Sequence, residues 1–156
     1  MKRGPHPSLK VLLDTNVYIT ALRSEADRDH FRAVFYPLLP ATVLSAVVAY
    51  ELSVSAADQT TRELLAEFVA PMERAGRVET PAFTDWIAAA EVVSAILRKD
   101  RGYKSKLPSL LNDILIALSA RRAGAELLTY NGDDFRLIKR HTEFELRVLE
   151  QSAGKV

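Results

Sequence analysis

Cysteine is absent from this 156-residue chain. Without thiols there is no disulfide and no thiolate-bound metal, and a reducing compartment suits the composition. Glycine is scarce, with six residues in all, and no glycine-rich turn follows the first apolar segment, which excludes the dinucleotide-binding fingerprint. No apolar run approaches the roughly 18 residues that a membrane-spanning helix requires. The N-terminal MKRGPHPSLK carries early positive charge but no apolar stretch behind it, so it does not read as a secretory signal. No membrane association and a cytoplasmic location are therefore expected. An excess of one charge is missing too: the formal net charge is +1 and the pI about 8.0. Such a balance neither demands nor forbids nucleic acid, because a local basic patch matters more than the sum. Internal repeats and low-complexity tracts are also lacking.

What is present fits one globular domain with enough apolar residues for a substantial core. Residues 1–9, with Gly4, Pro5 and Pro7, are expected to be a flexible lead-in, residues 10–150 the folded domain and residues 151–156 a disordered tail. Val11, Leu12 and Leu13 form a short, continuously apolar run, the pattern of a central parallel strand buried on both faces. Asp14, Thr15 and Asn16 follow at once. An acid at the carboxyl end of the first buried strand stands where open α/β sheets place their chemistry; the same residues also suit a helix cap. Helices are expected over Val17–Arg23 and Glu25–Leu39, the second ended by Pro37 and Pro40. Ala41–Leu44 reads as a strand, and Ser45 as the N-cap of the helix AVVAYELSVSAA.

Glu51 lies inside that helix among Val47, Val48, Leu52 and Val54. A glutamate in such company meets a narrow stripe of solvent, a partner or a metal, since an unpaired buried carboxylate is very costly. Thr60–Ala75 is an amphipathic helix with Leu64, Leu65, Phe68, Val69 and Met72 inward, and Gly76 closes it. A short strand over Arg77–Thr80 precedes a helix over Phe83–Lys99, whose expected inner stripe is Trp86, Ile87, Ala90, Val93 and Leu97. The next segment, RKDRGYKSK, is the one charge-biased stretch. Arg98, Arg101, Lys104 and Lys106 make it either a solvated loop or a lip that contacts phosphates.

Pro108–Ala123 is a helix opened by proline and closed by Gly124. Asn112 and Asp113 interrupt its apolar series. Asp113 either complements the helix dipole or belongs to a site, and its face, shared with Ile116, Ala117 and Ala120, reads as packed. Glu126–Thr129 is a second core-type strand, followed by Tyr130, Asn131, Gly132, Asp133, Asp134 and Phe135 and a short helix to Lys139. Phe144–Leu149 is the last strand.

Strands alternating with helices imply an α/β domain with a parallel sheet of about four or five short strands flanked by helices. The turns DTN and TYNGDD then share one sheet edge, where acids from distant parts of the chain can converge. Such a cluster needs a hard divalent cation, and oxygen ligands without histidine or cysteine point to Mg²⁺ or Mn²⁺. An acid-lined cleft of that kind suits phosphodiester hydrolysis.

The set VLLDTNVYI, SAVVAYEL and LLNDILIALSARRAGAELLTYNGDDF resembles the PIN-domain ribonucleases, in particular the VapC-type toxins of toxin–antitoxin pairs. The resemblance runs from about Lys10 to about Leu149. It implies a metal-dependent endoribonuclease, an RNA substrate, a cognate antitoxin and a homodimer. By resemblance Asp14, Glu51 and Asp113 are catalytic metal ligands. The fourth polar position, a metal position, falls on Asn131 rather than an aspartate, leaving Asp133 or Asp134 to compensate; Asp134, just before Phe135, matches another acidic position of the motif and counts among the catalytic acids. Thr15, Asn16, Thr129 and Asp133 take supporting roles. The helix face around Phe31, Val34 and Phe35 is either the dimer surface or part of the core, and the core reading carries at least equal weight for each residue. Asn131 in place of an acid keeps open a second reading, a catalytically impaired module that binds RNA or a protein. A phosphatase with a nucleophilic aspartate after the first strand would need a second aspartate at Asn16, and no suitable lysine follows.

Overall fold

The computed structural model describes residues 10–151, so the expected lead-in at 1–9 and residues 152–156 of the expected tail lie outside the described residues. The chain opens with β1 (Lys10–Leu13), whose Val11, Leu12 and Leu13 are all buried. Asp14 caps α1 (Thr15–Thr20) and Ser24 caps α2 (Glu25–Phe35). A 3-10 segment, Tyr36–Ala41, leads into β2 (Thr42–Ser45). α2 therefore ends at Phe35, short of the expected Leu39. Pro37 and Pro40 lack the N–H groups an α-helix would use there, and the tighter segment takes over. Ser45 accepts the Val47 N–H at 3.1 Å as the N-cap of α3 (Ala46–Ser55).

α4 (Gln59–Arg74) starts on Asp58 and returns the chain to β3 (Val78–Glu79). α5 (Phe83–Lys99) follows, then a 3-10 segment, Arg101–Lys106, and α6 (Leu107–Ala123). The basic stretch expected as a loop is thus helical at both ends, with Asp100 capping the second segment through the Gly102 N–H at 2.8 Å. Gly124, at φ 64°, ends α6 in the left-handed conformation that only glycine adopts without strain. β4 (Ala125–Thr129), α7 (Gly132–Lys139) and β5 (Glu145–Val148) complete the described chain.

All neighbouring strands pair in parallel, in the order β3-β2-β1-β4-β5. The chain moves outward from β1 through β2 to β3, then crosses back to lay β4 and β5 on the other side. The strand order therefore reverses between β1 and β4, and the carboxyl ends of these two strands flank the crevice that such a reversal opens.

The packing corrects one sequence expectation and decides between two open ones. The inner stripe of α5 is Asp85, Ala89, Val92 and Ile96, whereas Trp86 and Ile87 are each 49% exposed. The helix is turned by one position because Asp85 is held inward: it accepts from Arg122 Nε at 2.7 Å and from the Ala82 N–H at 2.8 Å. Phe31 and Phe35 are buried in an aromatic cluster with Tyr18, Tyr36 and Phe68, so the helix face proposed for dimerisation is core, with only Val34 of the three exposed.

Candidate active site

Asp14 stands directly after β1, at the strand-order reversal. Its Oδ1 accepts the Thr15 N–H at 2.8 Å and its Oδ2 accepts the Thr129 hydroxyl at 2.7 Å. The first bond caps α1 and the second ties the ends of β1 and β4 together, so the capping bond leaves Asp14 at the crevice. The Thr129 hydroxyl is fully used, since it also accepts from Asn16 Nδ2 at 3.2 Å and from the Asn131 N–H at 2.9 Å. Asn16 in turn accepts the Tyr130 N–H at 3.2 Å. Burial pushes the Asp14 carboxyl up to about 6, opposed by the bonds from Thr129 and Thr15 and assisted by the charge of Glu51.

Glu51 reaches the same crevice from α3. Its Oε1 accepts the Thr15 hydroxyl at 2.6 Å and its Oε2 accepts Asn112 Nδ2 at 3.3 Å. Asp113, one residue on, sits at the seventh position of α6, beyond the first turn where the helix dipole acts most strongly. Burial raises its carboxyl to about 8, and the charges of Asp14, Asp134 and Glu51 add to the rise. The charges of Asp14, just after β1, of Glu51 on α3 and of Asp134 on α7 therefore all bear on Asp113. Among the described residues Asp113 accepts no protein hydrogen bond, and none of the four acids forms an ion pair with lysine or arginine.

The acids of the last motif separate. Asp134 is half-buried and accepts Asn131 Nδ2 at 2.9 Å. The side chain of Asp133 is fully exposed, 3.6 Å from Arg136, and lies outside the cluster. Adjacent helical residues point about 100° apart, so only one of the pair can face the crevice. Asn112 is the site residue that sequence reasoning passed over. The available signal was a second polar side chain, beside Asp113, breaking the apolar face of α6.

The residues suit a hard divalent cation in kind: oxygen donors, negative charge bearing on Asp113 and, among the described residues, no lysine or arginine paired with the acids. Among the described residues no group of three or more histidine, aspartate or glutamate side chains stands close enough together to hold a metal ion. Arg98, Arg101 and Lys104 rim an open depression of about 500 Å³ with Ser94 and Leu97, while Lys106 faces a separate hollow with Asp100, Gly102 and Tyr103. α6 leads from this basic rim to Asp113 in six residues, about 9 Å of helix.

Comparison with known proteins gives the same arrangement a family. No curated protein matches the chain. Among solved structures, a chain of VapBC2 from Rickettsia felis, bound to a DNA fragment from their promoter, superposes with a TM-score of 0.62 at 21% identity, over 91% of this chain and 100% of that one. A chain of DNA-bound VapBC from Salmonella typhimurium gives 0.63 at 21% identity, over 90% and 98%. FitAcB from Neisseria gonorrhoeae gives 0.56 at 20% identity, over 87% and 95%. At these identities the likeness is one of fold. The profile described as PIN domain, however, matches residues 11–140, from the first buried strand to the end of α7, and the chain belongs to that family.

Proposed function

We propose that this PIN domain is a Mg²⁺- or Mn²⁺-dependent endoribonuclease, the toxin of a toxin–antitoxin pair. One observation carries the reading: Asp113 lies within the charge of three other acids, among the described residues it has neither a hydrogen-bond donor nor a cation, and it is raised to about 8. A group so placed is poised for a metal that would supply its missing partner charge. Asp14, Glu51 and Asp113 would hold the ion. The fourth position falls to Asp134, because Asn131 directs its amide N–H at Asp134 Oδ2. When bound, the metal supplies charge stabilisation for the scissile phosphate and a deprotonated water at neutral pH.

The chain's own residues do the rest. Thr129 fixes the rotamer of Asp14, Thr15 fixes that of Glu51, and Asp113 releases its proton near neutral pH as the site fills. Arg98, Arg101 and Lys104, along the same helix hairpin, take the phosphates of the strand on either side of the cut. The neighbouring structures, VapBC and FitAB, are paired proteins bound to DNA, which supports an antitoxin partner for this chain as well. For the homodimer we look to α5 rather than α2, where Phe83, Trp86 and Ile87 are exposed on one face.

The test is a cleavage assay on single-stranded RNA with Mg²⁺ or Mn²⁺. Asp14→Asn, Glu51→Gln and Asp113→Asn should each lower the rate by at least about 10²-fold. Wild-type cleavage that persists in EDTA would overturn the metal-dependent reading. A folded, Mn²⁺-binding protein that cleaves no RNA would favour the impaired module that only binds RNA or a protein.

A further inference from the structure

Asn112 makes the one hydrogen bond that joins α3 to α6 among the described residues, Nδ2 to Glu51 Oε2 at 3.3 Å. The assignment of its amide is fixed by chemistry, since an ionised carboxylate only accepts and the nitrogen must face it. With Thr15 on Oε1 at 2.6 Å, each oxygen of Glu51 has one neutral donor and keeps one lone-pair direction free. A glutamate side chain otherwise turns about three bonds, and ordering it is entropically unfavourable. Donors without charge also hold the acid in place without competing with a cation for it, as a lysine or arginine would.

We infer that Asn112 is a positioning residue of the metal site: it holds Glu51 from α6 in the orientation that meets the ion, next to Asp113 on the same helix. Adjacent positions on α6 then serve two faces, Asp113 turned to the other acids and Asn112 turned to α3. This coupling explains why the apolar series of α6 is broken twice in succession and not once. The inference rests on the proposed metal-dependent site and adds a residue to it.

Titration calorimetry with Mn²⁺ alone tests it, on wild type, Asn112→Leu, Glu51→Gln and the double variant. Leucine is close to asparagine in shape and removes its donors. Asn112→Leu should weaken Mn²⁺ binding about tenfold, the lower end of what loss of a ligand's supporting hydrogen bond causes. In the Glu51→Gln background the same change should have no further effect, because the two residues act as one unit. Melting in EDTA should be the same or higher, since a half-buried polar group has been replaced by an apolar one. A purely structural role predicts the reverse: a lower melting temperature in both backgrounds and an unchanged Mn²⁺ affinity. Asn112→Ala gives the same comparison should the leucine variant fail to fold. An Asn112 variant that folds and binds Mn²⁺ as tightly as the wild type would overturn this inference alone. A wild type that binds no Mn²⁺ would overturn the proposed function, and this inference with it.

Discussion

Neutralising Asp113 should make the metal-free protein more stable, and more so as the pH rises. The carboxyl ordinarily titrates at 3.8 and is raised to about 8 in the fold, first by burial and then by the charges of Asp14, Asp134 and Glu51. Between those two values the unfolded chain has given up its proton while the folded protein keeps it. The native state then binds more protons than the unfolded state, so stability falls as the pH rises through this window. Full expression of the effect is about 1.4 kcal/mol per pH unit, which sets a ceiling of about 4 kcal/mol at pH 7. Water in the half-open crevice and partial titration of the neighbouring acids reduce this, and about 2–3 kcal/mol is the working figure. Asp113→Asn, which keeps the shape of the protonated acid, should thus melt roughly 4–12 °C higher than wild type at pH 7 in EDTA. The two should converge towards pH 4. Mn²⁺ at a hundredfold excess over Kd should stabilise the wild type by about 2.7 kcal/mol and the variant by much less. Scanning calorimetry across pH 4–8, with EDTA and with Mn²⁺, reads all of this at once. If Asp113 only complemented the helix dipole, its loss would instead destabilise by about 0.3–1 kcal/mol. A lower melting temperature in EDTA at pH 7, with an undiminished Mn²⁺ response, would refute the reasoning.

Thr129→Val should destabilise the metal-free protein by about 1–3 kcal/mol, because it leaves Asp14 Oδ2 without a donor; the loss should be larger above pH 6, where Asp14 is charged, than at pH 4, as denaturant titration at the two pH values would show. Changing Arg98, Arg101 and Lys104 together to alanine should weaken RNA binding evenly across sequences and reduce the slope of log K against log salt by about 2, at roughly 0.7 for each phosphate that is no longer neutralised. An unchanged slope would mark the basic rim as solvated surface. Trp86→Glu should convert a dimer to a monomer in light scattering, while Val34→Glu on α2 should leave it intact.

Much of this protein is written locally in its sequence. The run VLL, buried on both faces, marks β1 without reference to anything distant. Ser45 and Gly124 mark helix ends because caps are short-range hydrogen bonds and backbone angles. Asp14 and Glu51 draw notice for the same reason: an acid at a strand end, or inside an apolar helix, conflicts with its immediate surroundings. What lies beyond local reading is decided by partners far along the chain. α5 is rotated by one position because Asp85 meets Arg122, 37 residues away. Phe31 is core because Tyr18, on α1, and Phe68, on α4, close over it. Asp134 faces the crevice and Asp133 does not because α7 is set by its packing, and a helix turns neighbouring side chains apart. Asn112 acquires a role only where α3 brings Glu51 to it across 61 positions. The sequence by itself determined which residues carry charge, donors and acceptors, and where most elements begin. Only the parallel sheet, with its order reversing between β1 and β4, decided which of those groups meet, because electrostatic and hydrogen-bonding forces act over a few ångströms of space whatever the separation in sequence.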